Sequence, residues 1–198
     1  MKFRFVALGG VLLLVATACG STSPGARPPP VTRASAPATT VDPDVVPPVV
    51  TPAYVNAVLA ALNHIEGNAV RLEVATGTIS PQEVADIRAI YNDPEFASRS
   101  QILSESLLQL DLSKPDPGDA VTTVVNLMTA TPACIFAAVS TNLDAVTKAP
   151  TPPAASEYAM LEPKTPGNDP QDLNPTPWAY ALRVSYTTPT TMPSQCPA

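Results

Sequence analysis

The longest regular pattern of apolar positions in this chain runs from Tyr54 to Leu72. Apolar residues recur there every three or four positions, which places them in one stripe along an α-helix. Thr51 and Pro52 are typical of a helix start, because threonine caps the first turn and proline is tolerated at the first helical position. The pattern predicts a long amphipathic helix that begins at Pro52 and ends at, or just before, Gly77. Its stripe comprises Tyr54, Val55, Val58, Leu59, Leu62, Ile65, Ala69 and Leu72.

Two shorter helices are predicted after it. The sequence Ser80-Pro81-Gln82-Glu83 is a capping box with proline at the first helical position. It precedes Val84, Ile87 and Ile90, which fit one face of a short helix. Asp93-Pro94 restarts the chain, and the leucines and Phe96 that follow favour a third helix to about Leu110.

The pattern changes to β-strands after the turn residues of 114–119. Val- and Thr-rich segments separated by Pro, Asn and Asp predict four strands at Val121–Thr129, Ala133–Thr141, Glu157–Pro163 and Trp178–Thr187. Only three residues separate the first two, which favours a hairpin. Helices first and strands second is the order expected for an α+β domain.

The last strand alternates between large and small side chains. Simple alternation predicts one aromatic and apolar face, comprising Trp178, Tyr180, Leu182, Val184 and Tyr186. Arg183 is then expected on the opposite face, among Ala179, Ala181 and Ser185. That face is expected to be solvated, with docking of a partner as the alternative.

The first nineteen residues carry a different kind of signal. Lys2 and Arg4 precede the apolar run Phe5–Val15, which is too short for a membrane-spanning helix of about 20 residues. The run is followed by Val15-Ala16-Thr17-Ala18-Cys19. This layout resembles the signal peptide and lipobox of bacterial lipoproteins. The resemblance implies that residues 1–18 are removed, that Cys19 receives diacylglycerol, and that the protein is anchored at the extracytoplasmic face of the cell membrane. An ordinary secretory signal with a chance cysteine is the alternative.

Residues 19–50 are predicted to form a disordered tether, and residues 51–198 a single domain. The tether is rich in Pro, Ala and Thr and has no aromatic residue before Tyr54. Such a segment cannot bury enough apolar surface to offset its ordering entropy.

The cysteine count agrees with a lipid on Cys19. The chain has three cysteines, and an odd number in an exported protein needs an explanation. Acylation of Cys19 leaves Cys134 and Cys196 as an even pair, which an oxidising compartment allows to form a disulfide. A metal site is not expected, because two cysteines and one histidine lack a fourth ligand and the usual close spacing.

The charge of the chain limits the classes of partner that are expected. Removal of residues 1–18 takes away Lys2 and Arg4 and no acid, so the formal net charge falls from −6 to −8. Binding to nucleic acid requires clustered Lys and Arg, and none are clustered here. The expected partners are therefore the membrane, through the lipid, and either an envelope protein or a small hydrophobic molecule. No cofactor is expected.

Three helices followed by strands resemble the NTF2-like, or cystatin-like, cone. The segment Asn174-Pro175-Thr176-Pro177-Trp178 before the last strand is similar to lipoproteins of high-GC Gram-positive bacteria, and Mce-associated envelope proteins have a similar element order. The resemblance implies helices that cover the concave face of a curved antiparallel sheet, often with a pocket at one end.

The sequence contains no complete catalytic motif that we recognise, so the leading hypothesis is a binding or accessory module and not an enzyme. Tyr54, Tyr180 and Tyr186 are candidates for lining a ligand pocket, with core packing as the alternative. His64, the single histidine, would need an orienting carboxylate to act as a base, as in an NTF2-like enzyme. Glu83 and Asp86 are expected to serve the start of the second helix. A structural spacer is the remaining hypothesis.

Overall fold

Three helices come first along the chain. The computed structural model describes residues 41–106, 113–148, 155–185 and 196, and of residues 100–106 and 155 the backbone only. Helix α1 spans Pro52–Thr76, α2 spans Pro81–Ile90 and α3 spans Asp93–Ser106. The predicted extension of α3 to Leu110 lies outside the described residues.

Both ends of α1 and the start of α2 are those that the sequence predicts. The Thr51 side chain accepts a hydrogen bond from the Tyr54 backbone N–H, and Gly77 ends α1 in the left-handed conformation with φ 65°. At the start of α2, Ser80 accepts from the Glu83 N–H while the Glu83 carboxylate accepts from the Ser80 N–H. The predicted capping box is therefore confirmed. It satisfies two backbone N–H groups, those of Ser80 and Glu83, that would otherwise lack partners.

Four strands form one antiparallel sheet with the sequential order β1-β2-β3-β4. Strands β1 and β2 make the predicted hairpin, and the order of helices and strands confirms the α+β class. The bounds are Val121–Ala130 for β1, Ile135–Asn142 for β2, Ala155–Pro163 for β3 and Trp178–Ser185 for β4.

A bulge in β4 overturns the predicted alternation of this strand. Leu161 of β3 pairs with Tyr180, and Met160, which precedes Leu161, pairs with Leu182. Ala181 therefore has no partner of its own on β3. An extra residue exchanges the two faces for the rest of the strand. Trp178 and Tyr180 therefore face the helices, whereas Leu182 lies on the other side, with Met160. Arg183, opposite Ala159, faces the helices and is buried.

The main core lies between α1 and the helix-facing side of the sheet. The predicted stripe of α1 packs there against Trp178, Tyr180 and the inward residues of β2 and β3, except for Leu72, which lines an open depression. Each fully buried leucine or valine stabilises such a core by about 1.5–3 kcal/mol. The fully enclosed members include Val58, Leu59, Leu62, Ile90, Tyr91 and Ile135.

A second apolar cluster lies on the opposite side of the sheet. Phe136 and Tyr158 stack there with ring centroids 5.7 Å apart, and Cys196 packs against this cluster. Cys196 is bonded to Cys134, which lies 62 positions earlier in the sequence. The pair predicted from the cysteine count thus lies at disulfide distance.

The packed unit begins upstream of residue 51. Val50 is buried, and Val41 and Val46 pack against the main core. The Tyr54 hydroxyl donates to the Pro43 carbonyl oxygen. The predicted signal peptide, Cys19 and the tether to residue 40 lie outside the described residues. Among the helices that the structure describes, none is long and apolar enough to cross a membrane.

Candidate functional site

A cavity of about 250 Å³ lies between α1 and the sheet. We call it the central cavity. One face of α1 provides four of its lining residues at positions 63, 66, 67 and 70, and the remainder come from α3, β3, β4 and the chain on either side of β1 and β2. The lining residues are Asn63, Glu66, Gly67, Val70, Arg99, Ala120, Leu143, Val146, Glu157 and Arg183.

Arg183 forms two ion pairs at the wall of this cavity. Its Nη1 donates to Glu66 Oε2 at 2.7 Å, and its Nε donates to Glu157 Oε2 at 3.2 Å. The Arg183 side chain is only 7% exposed. We call Arg183, Glu66 and Glu157 the Arg183 cluster. A buried arginine is tolerated here because two carboxylates satisfy it, and a guanidinium is well shaped to bridge them.

The electrostatics of the Arg183 cluster favour the charged forms. Burial raises the pKa of Glu66, but the charges of Arg183 and Arg99 outweigh burial, so its pKa lies below the ordinary value. Burial alone would lower the pKa of Arg183, but the negative charge of Glu66 outweighs burial. The pKa of Arg183 is therefore raised. The Tyr91 hydroxyl donates to Glu66 Oε1 at 2.9 Å. Burial raises the pKa of Tyr91, which therefore remains a hydrogen-bond donor.

A chain of side-chain hydrogen bonds continues from this cluster to α1. Thr141 donates to Glu157 Oε2 at 2.6 Å, and the hydroxyls of Thr141 and Thr122 are 3.1 Å apart. Asn63 Nδ2 donates to Thr122 Oγ1 at 2.9 Å and to the Ala120 carbonyl at 3.1 Å. Every step is buried or partly buried, so the network fixes the side of the cavity formed by α1, β1 and β2.

Two buried polar atoms of the cavity lining have no hydrogen-bond partner among the described residues. They are Asn63 Oδ1 and Arg99 Nε. Arg99 Nε is 3.5 Å from Glu95 Oε1, which is long for a hydrogen bond. A buried acceptor or donor without a partner costs about 1–3 kcal/mol. Both atoms are enclosed by the protein, so each is an internal cost of this packing.

A second ionic group lies at the exposed side of α1, outside the cavity. Asp119 Oδ2 is 2.8 Å from His64 Nδ1, and Asp119 Oδ1 accepts from Arg71 Nη1 at 2.8 Å. We call these three residues the Asp119 cluster. The His64 side chain is 62% exposed, as expected for a surface histidine. The orienting carboxylate that a catalytic histidine would need is nevertheless present.

Gly67 allows Asp119 to approach α1 this closely. A Cβ added at Gly67 would overlap Asp119 Oδ1, so no larger residue fits while Asp119 stays in place. The hydrogen bonds from His64 and Arg71 lower the pKa of Asp119, although burial alone would raise it.

The predicted tyrosines do not line the central cavity as the structure describes it. Tyr54 is buried, and its hydroxyl accepts a hydrogen bond from Trp178 Nε1 at 2.9 Å. Tyr180 is also buried and stacks on Tyr91 with ring centroids 5.1 Å apart. Both belong to the main core, and a ligand role for them stays a prediction. Tyr186 lies outside the described residues.

The two acids of α2 hold structural positions. Glu83 is fully buried in the capping box, and Asp86 accepts from Gln82 Nε2 at 2.9 Å. Burial raises the pKa of both carboxyls. In the described part of the chain, no group of three His, Cys, Asp or Glu residues is placed to hold a metal ion.

Sequence reasoning missed Arg183, Glu66 and Glu157 as a site. One signal was available: Asn63, Glu66 and Val70 fall at i, i+3 and i+7, so two polar residues lie beside the apolar stripe of α1. The decisive element, the β4 bulge, has no mark in the sequence because Ala181 is an ordinary strand residue.

Comparisons with protein-family models, with curated proteins and with solved structures found no match for this chain.

Proposed function

We propose that this protein is a lipid-anchored binding module of the cell envelope. Cys19 holds it at the extracytoplasmic face of the membrane, and its domain binds a small molecule in the central cavity. The basic residues Lys2 and Arg4, the short apolar run and the small residues before Cys19 support the anchor. Two acyl chains give stable attachment where one chain gives only marginal binding.

One observation carries the binding role. The central cavity combines an apolar lining with the fixed polar groups of the Arg183 cluster. Ligand sites in proteins are concave, mostly apolar and marked by a few fixed polar groups. Val70, Leu143 and Val146 supply apolar lining here. The Arg183 cluster supplies fixed polar groups that are already paired with one another, which suits orienting a ligand more than reacting with it.

The proposed fold type is the NTF2-like, or cystatin-like, cone. Support comes from three helices followed by four sequential antiparallel strands, with α1 packed on one side of the sheet. A cavity between helix and sheet is what this resemblance implies. Fold type alone does not determine function, so the proposal depends on the cavity.

The anchor is tested by metabolic labelling. Full-length protein is expressed in a high-GC Gram-positive host that is fed an alkyne-tagged fatty acid, and the purified protein is examined for the tag. We expect label on the wild type and none on Cys19→Ala, while Cys134→Ala retains it. An unlabelled wild type, or label that survives Cys19→Ala, would contradict the proposal.

The binding role is tested with cavity-filling variants. Full-length protein extracted in detergent is screened by native mass spectrometry for co-purified and added small molecules. We expect a bound molecule that is lost in Val70→Phe and in Leu143→Phe, which fill the central cavity from two sides. Leu72→Phe is the matched control because Leu72 lies on α1 but lines a separate, open depression. A wild type that binds nothing would favour the spacer hypothesis, and crosslinking that captures one envelope protein instead would favour an accessory role.

A second candidate function is enzymatic, and the Asp119 cluster favours it. Asp119 is 2.8 Å from His64 Nδ1 and is itself held by Arg71, which is how a carboxylate orients a histidine base. The test is turnover of ester, amide and phosphate-monoester reporters by the full-length protein. Turnover that disappears in His64→Ala would support an enzyme. Equal turnover in both proteins would reject this role for His64.

A further inference from the structure

The ionic groups of the central cavity balance one another. Its described lining carries two acids, Glu66 and Glu157, and two arginines, Arg99 and Arg183, so the formal charges of these residues sum to zero. Arg99 also lies 3.5 Å from Glu95, an acid outside the lining. Each arginine therefore has a carboxylate beside it, and a charged ligand would meet groups whose charge is already compensated.

Both carboxylate oxygens of Glu66 already accept a hydrogen bond. Oε1 accepts from the Tyr91 hydroxyl at 2.9 Å, and Oε2 accepts from Arg183 Nη1 at 2.7 Å. Tyr91 is fully buried and the Arg183 side chain is 7% exposed, so both donors are held in place by the surrounding protein. An ammonium group that approached Glu66 would therefore be placed beside the positive charge of Arg183.

Glu157 is engaged in the same way. Its Oε2 accepts from Arg183 Nε at 3.2 Å and from the Thr141 hydroxyl at 2.6 Å, and its Oε1 accepts from Ser185 Oγ at 3.3 Å. Because Arg183 bridges two acids, a ligand carboxylate that approached its guanidinium would also approach Glu66 and Glu157. A ligand ion of either sign thus loses its hydration without gaining an unpaired counter-charge.

Half of the described lining is small or aliphatic. Gly67, Val70, Ala120, Leu143 and Val146 carry no polar side-chain atom, and apolar surface buried against them favours binding roughly in proportion to its area. The cavity volume is about 250 Å³. By proportion with a cavity of about 150 Å³ that takes up benzene, this volume suits a molecule of about ten heavy atoms.

The ionic and the aliphatic parts of the wall together define the ligand class. Resting on the proposed binding function, we infer that the Arg183 cluster is a charge filter: the central cavity takes a small uncharged apolar molecule and rejects carboxylates and amines of the same shape. The aliphatic residues supply the attraction. The compensated ions supply the discrimination, because a ligand ion would be buried beside a like charge.

Three probes with the same branched carbon skeleton test the charge filter. They are 4-methyl-1-pentanol, which is neutral, 4-methylpentanoate, which is an anion, and 4-methylpentan-1-amine, which is a cation at neutral pH. Binding to the full-length protein in detergent is followed by ligand-observed NMR, and the signal that remains in Val70→Phe is subtracted as partition into micelles. We expect the alcohol to bind about 10–100-fold more tightly than either ion.

Glu157→Gln tests whether the Arg183 cluster sets this preference. The variant keeps the shape of the side chain and removes one negative charge, so the described lining gains a net positive charge. We expect the carboxylate probe to bind about tenfold more tightly than it binds the wild type, the amine more weakly and the alcohol unchanged. Glu162→Gln is the matched control, because Glu162 lies on the same strand, β3, but does not line the cavity. It should bind all three probes as the wild type does.

The outcomes separate this inference from the proposed function. Either ion binding as tightly as the alcohol would overturn the charge filter, as would equal shifts in Glu157→Gln and Glu162→Gln. If Glu157→Gln does not fold, the ranking of the three probes by the wild type decides alone. If none of the three binds but the wider screen finds a molecule that Val70→Phe displaces, the binding function stands and the charge filter is wrong. If nothing binds that Val70→Phe or Leu143→Phe removes, both fail together.

Discussion

The Arg183 cluster and the Asp119 cluster are both ionic groups that include residues of α1, and they differ in burial. Arg183 is 7% exposed, whereas the Arg71 and Asp119 side chains are 31% and 35% exposed. An exposed pair contributes about 0–1 kcal/mol because water and salt screen it. Removing one partner of a buried pair costs about 3–5 kcal/mol because a charge is left without solvation. The same residue types are therefore expected to matter very differently to stability on two sides of one helix.

The difference also bears on function. Polar groups fixed in a dry cavity discriminate between ligands, since a mismatch leaves a buried group without a partner. Exposed groups can exchange a protein partner for water at little cost. This is why the binding proposal rests on the Arg183 cluster and its cavity, and the enzymatic alternative on the Asp119 cluster.

The largest predicted effect comes from removing the buried cation. Arg183→Met leaves Glu66 and Glu157 buried without a counter-charge, so the free energy of unfolding should fall by about 3–5 kcal/mol in urea titrations. Arg71→Met, the matched change in the Asp119 cluster, should cost less than about 1 kcal/mol. That small cost should vanish at about 1 M salt, where the screening length is about 3 Å. Similar costs for the two variants would refute the comparison.

The disulfide offers a control that touches neither cluster. Cys134 and Cys196 lie on the far side of the sheet and close a long loop, so reduction should lower the free energy of unfolding by about 2–4 kcal/mol. Calorimetry with and without reductant measures the loss, and Cys134→Ala with Cys196→Ala should reproduce it. The difference between Arg183→Met and Arg71→Met should persist in reduced protein. A melting temperature unaffected by reductant would mean that the thiols are free.

Acid should weaken the buried cluster more than the exposed one. The pKa values of Glu66 and Asp119 are both lowered by folding. Their stabilising contributions are complete above the unfolded-state pKa and disappear as the pH falls through the lower folded-state pKa. Glu66→Gln should therefore reduce the loss of stability below about pH 4, and Asp119→Asn should reduce it less. Denaturant titrations across this range provide the measurement, and a larger effect of Asp119→Asn would count against the ranking.

The smallest predicted effect concerns Gly67. Alanine is favoured over glycine within a helix by about 0.5–1 kcal/mol, but the new Cβ displaces Asp119. Gly67→Ala should thus change stability by less than about 1 kcal/mol while the pKa of Asp119 returns toward its ordinary value, as carboxyl carbon NMR can follow. In an Asp119→Ala background the same change should stabilise by the full helix preference. An unaltered Asp119 pKa in Gly67→Ala would show that the close approach does not hold the carboxylate.

Much of the helical half could be predicted from local patterns. The cap at Thr51, the end at Gly77 and the capping box at Ser80 depend on neighbouring residues, and the structure has them where the sequence predicts them. Strand positions and the hairpin follow from β-branched runs and a short turn. The candidate site could not be predicted because Asn63, Glu66, Glu157 and Arg183 come from three distant parts of the chain.

By itself, the sequence determined the elements, their order, both ends of α1 and the start of α2, because capping, helical periodicity and turn formation act over a few residues. It also supplied the leader pattern around Cys19 and left Cys134 and Cys196 as a pair. Only the tertiary structure decided which way Arg183 faces. The bulge at Ala181 depends on how β4 pairs with β3 and packs against the helices, and that one-residue shift turned a predicted surface arginine into the centre of a buried ionic site. Burial, in turn, is the physical reason that we place the proposed binding function at this cluster.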